Sequence, residues 1–346
     1  MQFQRTIGVD YSGAETADSS LKGLRVYMTE HGGPSREIGP PRSPKRYWTR
    51  RALAEWLTLT MAEPIPTIAG IDHGFSFPDA YFEQYRLPRN WDLFLDDFCA
   101  HWPTDEPKLY VDFLRLGPNA SGAARSGKRT WRRHVEVLSR AKSVFHFDVQ
   151  GQVAKSTHAG LPFLKSLRRA LPALHCWPFD GWRIAPGQSC LVEVYPRLYS
   201  GNYPNEDRTS DQHDAYATAA WLRDVDADGR LASNLHPNLS EPLRERARYE
   251  GWILGVIEPK EKDAPAQNRP VFTPRKSPAP KTTQPGYRNR NGEIVIRATG
   301  HPGTDHNQII YQLACDQCGL NYGANGSDIH SRKCPSCGGG RPGLTY

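Results

Sequence analysis

Short apolar runs with an acidic residue at or near the end alternate with helix-like segments along the first 258 residues. The runs at 6–9 and 68–71 are followed by Asp10 and Asp72, and the run at 190–194 contains Glu193. Apolar runs of this length, bounded by turn residues, are typical of buried strands. Further strands are predicted at 24–29, in a hairpin with the first strand, and at 34–39.

Helical periodicity marks the segments between the predicted strands. Thr49 is a favourable N-cap for a helix through Met61, and Ser210 for a helix over residues 211–225. Residues 103–140 have little periodicity. Other helices are predicted at 91–102, 158–171 and 241–249. Strands that alternate with helices predict an α/β fold, with a mixed sheet covered by helices on both faces.

Five carboxylates fall at the ends of these predicted elements. Asp10, Asp72 and Glu193 lie on the strands, while Asp211 and Asp214 are three residues apart at a helix start, just after Glu206 and Asp207. Carboxylates are costly to bury alone, and several that converge on one point repel each other. The sequence therefore predicts a site for Mg²⁺ or Mn²⁺, which prefer oxygen ligands.

The sequence around these acids resembles one protein family. Residues 8–13 (GVDYSG), 70–78 (GIDHGFSFP), 193–196 (EVYP) and 211–217 (DQHDAYA) occur in this order. They resemble the motifs of the predicted nucleases called domain of unknown function 429, which have a ribonuclease H-like fold. The resemblance covers about residues 5–258.

The resemblance implies a role for each acid. Asp10 would be a bridging metal ligand, Asp72 a ligand on the neighbouring strand, and Asp211 or Asp214 would complete the site. Asp10, Asp72 and Asp214 are the predicted Mg²⁺ or Mn²⁺ ligands. Glu193 is either a fifth member of the catalytic set or the partner of an arginine. Two cations ~3.5–4 Å apart would activate water and stabilise the leaving oxygen of a phosphodiester.

Other interpretations of the same residues stay open. Each aspartate can cap a turn or a helix without any metal. The segment 8–14 also resembles the first hairpin of sugar kinases and actin-like ATPases, in which the aspartate binds Mg²⁺-ATP. A noncatalytic adaptor that binds nucleic acid or protein is a further alternative. His73 and His213 stand beside the acids and either position water or simply pack.

A basic stretch is the predicted nucleic-acid contact of the first 258 residues. It surrounds Trp131, and Lys155 precedes a predicted helix as a further phosphate contact. A solvated basic loop without a ligand is the alternative. The predicted nucleic-acid-binding residues are Lys128, Arg129, Arg132, Arg133 and Lys155.

The net charge of +7 is concentrated in one segment, residues 259–290, which has eight Lys or Arg, two acidic residues and seven prolines. Such a composition cannot form a core, so it predicts an extended linker. The linker is either a spacer or a spacer that also contacts phosphates. It separates a domain at 1–258 from a small one at 291–346.

Four of the seven cysteines form two CxxC pairs in that small domain. Cys315 and Cys318 are separated from Cys334 and Cys337 by 15 residues, which is a zinc-site spacing. Four thiolates satisfy tetrahedral Zn²⁺ and leave no open position, so the ion would be structural. The segment resembles a zinc ribbon, a class that often binds nucleic acid or protein. Strands are predicted at 293–297 and 308–314.

The chain as a whole is predicted to be a metal-dependent nuclease with a zinc ribbon. Its partner would be nucleic acid, with a protein partner possible through the ribbon. No apolar stretch approaches ~18 residues, so no membrane contact is expected. The N-terminus lacks the pattern of a secretory signal, so a cytoplasmic location is expected.

Overall fold

The protein is described by a computed structural model over residues 1–41, 44–117, 120–147, 153–258, 282–304 and 308–346. The chain divides into two compact units, Met1–Ala264 and Pro265–Tyr346. Residues 259–281, which make up most of the predicted linker, lie outside the described residues.

A six-stranded mixed sheet organises the first unit, with the order β3-β2-β1-β4-β6-β5. The strands β1, β4, β6 and β5 are parallel, whereas β2 is antiparallel to β1 and β3 is antiparallel to β2. This confirms the α/β class and the predicted hairpin. The strands are β1 (Arg5–Asp10), β2 (Arg25–Glu30), β3 (Arg36–Glu37), β4 (Thr67–Asp72), β5 (His175–Cys176) and β6 (Cys190–Glu193).

Nine α-helices are present among the described residues of this unit. The five predicted helices correspond to α1, α3, α6, α7 and α9, and α4 and α5 lie in the segment that lacked periodicity. The helices are α1 (Arg50–Ala62), α2 (Asp79–Tyr85), α3 (Trp91–His101), α4 (Val111–Leu116), α5 (His134–Leu138), α6 (Val153–Ala170), α7 (Ser210–Ala227), α8 (Arg230–Leu235) and α9 (Glu241–Glu250).

The cap of α7 differs from the prediction by one residue. The Thr209 hydroxyl accepts a hydrogen bond from the Gln212 amide, and the Gln212 side chain in turn accepts one from the Thr209 amide. This reciprocal capping box fixes the first turn of the helix, which carries Asp211.

Side chains alternate between the two faces of the sheet and divide the core into two main clusters. Ile7, Val9 and Ile71 pack with residues of α1 and α6. Ile68 and Val192 pack with residues of α7. Since neighbouring residues of a strand point to opposite faces, helices cover both sides of the sheet.

Two glycines allow α7 to lie close against the sheet. Gly8 and Gly70 are paired in register on β1 and β4. A Cβ atom at Gly8 would lie 2.2 Å from the carbonyl oxygen of Ala215 on α7. The close approach places the N-terminal turns of α7 beside the ends of these two strands.

The second unit contains a three-stranded antiparallel sheet, β7-β8-β9. Its strands are β7 (Glu293–Pro302), β8 (Ile309–Cys315) and β9 (Asn321–Asn325). The first two were predicted. The third was not, because its sequence, NYGAN, has none of the β-branched residues that signal a strand.

The folded part of the second unit begins before residue 291, which is the predicted start of the small domain. The Asn289 side-chain amide donates to the carbonyls of Ile329 and Arg332. Tyr287 accepts a hydrogen bond from the backbone amide of Val295. The last residues of the predicted linker are therefore part of the folded unit.

None of the helices in the described parts of the chain is both long and apolar enough to cross a bilayer.

Candidate functional site

Asp10 and Asp72 stand side by side at the carboxyl ends of two neighbouring strands. They are the last residues of β1 and β4 and are partners in the parallel register. Paired residues of adjacent strands are separated by ~4.8 Å and point to the same face. Both residues are half-buried and line one cleft with a volume of about 710 Å³.

Helix α7 brings two more carboxylates to this cleft. Asp211 and Asp214 line it from the first turns of the helix. The turn before β2 is near enough that a Cβ atom at Gly23 would lie 3.4 Å from Asp211 Oδ2. The cleft is thus lined by Asp10, Asp72, Asp211 and Asp214. Among the described residues, no arginine or lysine is bound to the carboxylates of these four acids.

The carboxylates raise each other's pKa values. The pKa of Asp10 is well above its usual value, first because the group is buried and then because Asp72, Asp211 and Asp214 repel the ionised form, which Arg25 partly offsets. Burial, followed by repulsion from Asp214 and Glu193, raises the pKa of Asp72 to about 8. A divalent cation would relieve this repulsion.

The separation of the oxygens limits how an ion can be bound. Among the described residues, the four C-terminal cysteines are the only group of three or more His, Cys, Asp or Glu whose ligand atoms all lie within 4.8 Å of one another. No three carboxylates of the cleft are that close. Mg²⁺ binds proteins through one or two carboxylates and keeps several waters, and a two-ion site divides its ligands between the ions. The Asp10–Asp72 pair fits such a site.

The raised pKa of Asp72 predicts an unusual pH dependence of stability without divalent ions. Between pH ~4 and ~8 the folded protein keeps a proton that the unfolded chain releases, so the free energy of unfolding falls as the pH rises. We expect Asp72→Asn to remove this loss, so that without divalent ions the variant gains stability over wild type as the pH rises from 5 to 8. Urea unfolding in EDTA at pH 5, 6.5 and 8 measures the free energy of unfolding of the variant and of wild type. Asp207→Asn, at an exposed acid outside the cleft, is the control, and equal pH profiles for Asp72→Asn and wild type would contradict the expectation.

Glu193 is bound to an arginine, which was the alternative left open for it. The Arg133 guanidinium donates to both Glu193 carboxylate oxygens, at 2.6 and 2.7 Å. Glu193 also accepts from the Phe75 amide at 2.9 Å. A carboxylate held this way helps to fix the 73–76 loop beside Asp72. It also contributes negative charge to the cleft, although its oxygens are already occupied.

The prediction for Arg133 is corrected by the same contact. Its side chain is 1% exposed and also pairs with Glu136 at 2.9 Å. A buried arginine held between two carboxylates has its donors occupied and is not an exposed phosphate contact.

The other predicted basic contacts differ in position. Lys155 lines the cleft and pairs with Asp112 at 2.5 Å. Lys128 and Arg129 are exposed outside the cleft, and Lys128 lies 5.7 Å from the centre of the Trp131 ring. Arg132 is also exposed, with one nitrogen 2.6 Å from the Ala141 carbonyl oxygen.

Two further cations of the cleft were missed. Lys142 and Arg197 line it together with Lys155. Arg197 follows the EVYP segment directly, so its closeness to the acids has a local signal in the sequence. Lys142 has no such signal, because its position depends on the path of the chain after α5.

Each of the two histidines beside the acids has one ring nitrogen against a backbone carbonyl oxygen. Burial lowers the pKa of His73 to about 4, and its Nδ1 lies 2.9 Å from the Gly74 carbonyl oxygen. The ring is therefore neutral at pH 7. His213 Nε2 lies 3.1 Å from the Ser200 carbonyl oxygen.

The second unit gathers its four cysteines into one cluster. The Sγ atoms of Cys315 and Cys337 are 3.5 Å apart, as are those of Cys318 and Cys334. Tetrahedral zinc with Zn–S bonds of ~2.3 Å needs sulfur separations of ~3.8 Å, whereas a disulfide needs ~2 Å. The cluster can hold a zinc ion.

No family model, curated protein or solved structure matches the chain.

Proposed function

We propose that the first unit is a metal-dependent nuclease of ribonuclease H-like fold and that the second unit is a zinc ribbon. The observation that supports the nuclease best is the pairing of Asp10 with Asp72 at adjacent strand ends. Asp211 and Asp214 face the same cleft, and the pKa values of Asp10, Asp72 and Asp214 are raised. Carboxylates kept in such a repulsive arrangement suit a cation-binding role rather than a stabilising one.

Each group of side chains has a separate task in the proposed reaction. Asp10 and Asp72 would hold Mg²⁺ or Mn²⁺, with Asp214 as the third ligand residue, and bound ions would activate water and stabilise the leaving oxygen. Asp211 would orient water at the rim of the cleft. Lys142, Lys155 and Arg197 bring positive charge to the walls, where nonbridging phosphate oxygens would lie.

The zinc ribbon would recruit nucleic acid or a protein partner. Arg290 and Lys333 line a groove of about 380 Å³ beside Cys315 and Cys334. Arg288, in the same groove, pairs with Asp316. Positive charge next to a rigid metal-bound knuckle suits contact with phosphates.

Purified full-length protein tests the proposal directly. We expect Mn²⁺ or Mg²⁺ to raise the unfolding temperature of the first unit, and to support cleavage of DNA or RNA oligonucleotides that stops in EDTA. An adaptor would bind oligonucleotide without cutting it and would show no such stabilisation. Stabilisation by Mg²⁺-ATP, with no cleavage, would favour an actin-like ATPase instead.

A further inference from the structure

A second groove adjoins the acidic cleft on the side of β2 and β3. It has a volume of about 670 Å³ and is lined mainly by polar and charged side chains. We call it the β2 groove. Its lining residues are Lys22, Arg25, Glu37, Gly39, Arg46, Tyr47, Thr209 and Gln212.

The floor of the β2 groove is held rigidly. Arg25 pairs with Glu37 at 2.9 Å, and its Nε donates to the Lys22 carbonyl at 2.7 Å. The Gln212 side chain donates to the other Glu37 oxygen at 2.8 Å. These bonds join β2, β3 and the first turn of α7, which is the turn that carries Asp211.

The walls of the β2 groove carry excess positive charge. Lys22 and Arg46 are exposed, and neither forms a salt bridge among the residues that the structure describes. With the Arg25–Glu37 pair balanced, the groove has a net charge of about +2.

The guanidinium groups of Arg25 and Arg46 lie against the aromatic ring of Tyr47. The guanidinium carbons of Arg25 and Arg46 lie 4.7 and 5.3 Å from the centre of the half-buried Tyr47 ring. Cation–π contacts hold the planar guanidinium groups in place. A flat surface of guanidinium and aromatic groups is one on which an unpaired nucleobase can stack.

The β2 groove and the cleft share their boundary. Lys22 lines the groove, and its neighbour Gly23 lines the cleft. On α7, Gln212 lines the groove, and its neighbour Asp211 lines the cleft. Arg25 is the antiparallel register partner of Asp10, so the two side chains point to the same face of the sheet. A chain that leaves the cleft over β2 therefore enters the groove within about two strand spacings of ~4.8 Å.

We propose that the β2 groove binds the single-stranded nucleic acid that flanks the phosphodiester in the cleft. Lys22 and Arg46 contact backbone phosphates, and one base stacks on the Arg46–Tyr47 surface. This inference rests on the proposed nuclease function. A nucleic acid fits better than an acidic peptide, because a peptide would use the charges but would have no planar group for the Arg46–Tyr47 surface.

Binding to a fluorescent single-stranded oligonucleotide tests the β2 groove separately from cleavage. The assay uses full-length protein in EDTA, so that no strand is cut. We expect Arg46→Ala to weaken binding about tenfold and to lower the salt slope by ~0.7, and Tyr47→Ala to weaken it about tenfold while Tyr47→Phe stays within about twofold of wild type.

Arg169→Ala is the control for the loss of one positive charge, at a residue that pairs with Asp96 at 3.4 Å. Arg169 is 71% exposed and lies 14 residues along α6 from Lys155, which is ~21 Å of helix. We expect it to leave the affinity unchanged. Equal losses for Arg46→Ala and Arg169→Ala would overturn the inference, because the effect would then reflect net charge alone.

Two further outcomes separate the β2 groove from the nuclease proposal. If wild-type protein binds the oligonucleotide through Arg46 and Tyr47 but never cleaves it, the nuclease proposal fails and the groove assignment stands. If cleavage occurs with the same KM in wild type, Arg46→Ala and Tyr47→Ala, the groove assignment fails and the nuclease stands. A polyglutamate peptide that competes equally well, with Tyr47→Ala binding like wild type, would also overturn it in favour of an acidic protein partner.

Discussion

We expect Asp10→Asn and Asp72→Asn each to lower the proposed Mn²⁺-dependent cleavage by at least about a thousandfold, which corresponds to ~4 kcal/mol of lost transition-state stabilisation. The two carboxylates share one register position on β1 and β4, so either change removes half of the pair that would hold the ions. Asparagine keeps the shape of the side chain but loses the charge. Single-turnover cleavage of an end-labelled oligonucleotide measures the loss.

The same two variants should stay folded, and this separates a lost site from a lost structure. Replacing either aspartate removes repulsion, so in EDTA both variants should unfold at the same or a higher temperature than wild type at pH 8. The exposed Asp207→Asn, outside the cleft, should retain full activity. Cleavage within about threefold of wild type in both cleft variants would refute the proposed role of this pair.

The ends of the strands were the part of the site that the sequence could predict. A run of apolar residues followed by an aspartate fixes both the strand and the edge at which the carboxylate emerges, and Asp10 and Asp72 follow this rule. The α7 acids were predictable for a similar reason, because helix start signals are local. Local patterns of this kind need no knowledge of the rest of the fold.

Contacts between distant segments were the part that the sequence could not predict. Arg133 and Glu193 are separated by 60 residues, and a basic run around Trp131 gives no sign that one of its members is buried. The β2 groove was missed because Lys22, Arg46 and Gln212 belong to three separate segments. These residues come together only because β3 pairs with β2 and α7 packs against the sheet.

We expect removal of the proposed zinc ion to unfold the second unit and to leave the first unit intact. The hydrophobic cluster of the second unit has only five buried residues among those described: Val295, Leu313, Tyr322, Ala324 and Ile329. So small a core cannot offset the chain entropy of more than 50 residues, whereas a structural zinc site contributes ~10–16 kcal/mol. We expect one zinc per chain, lost in Cys334→Ser. Atomic emission measures the metal, and proteolysis between residues 282 and 346 measures the unfolding.

The tryptophans allow the two units to be followed separately in this experiment. All nine lie at or before Trp252, so the tryptophan fluorescence melt reports on the first unit alone. It should be the same for wild type, Cys334→Ser and chelator-treated protein. Cys99→Ser, in the first unit, is the matched control and should keep the zinc. If Cys334→Ser bound no zinc but resisted protease as wild type does, the packing of β7, β8 and β9 would suffice without metal, and the four thiols would need another explanation.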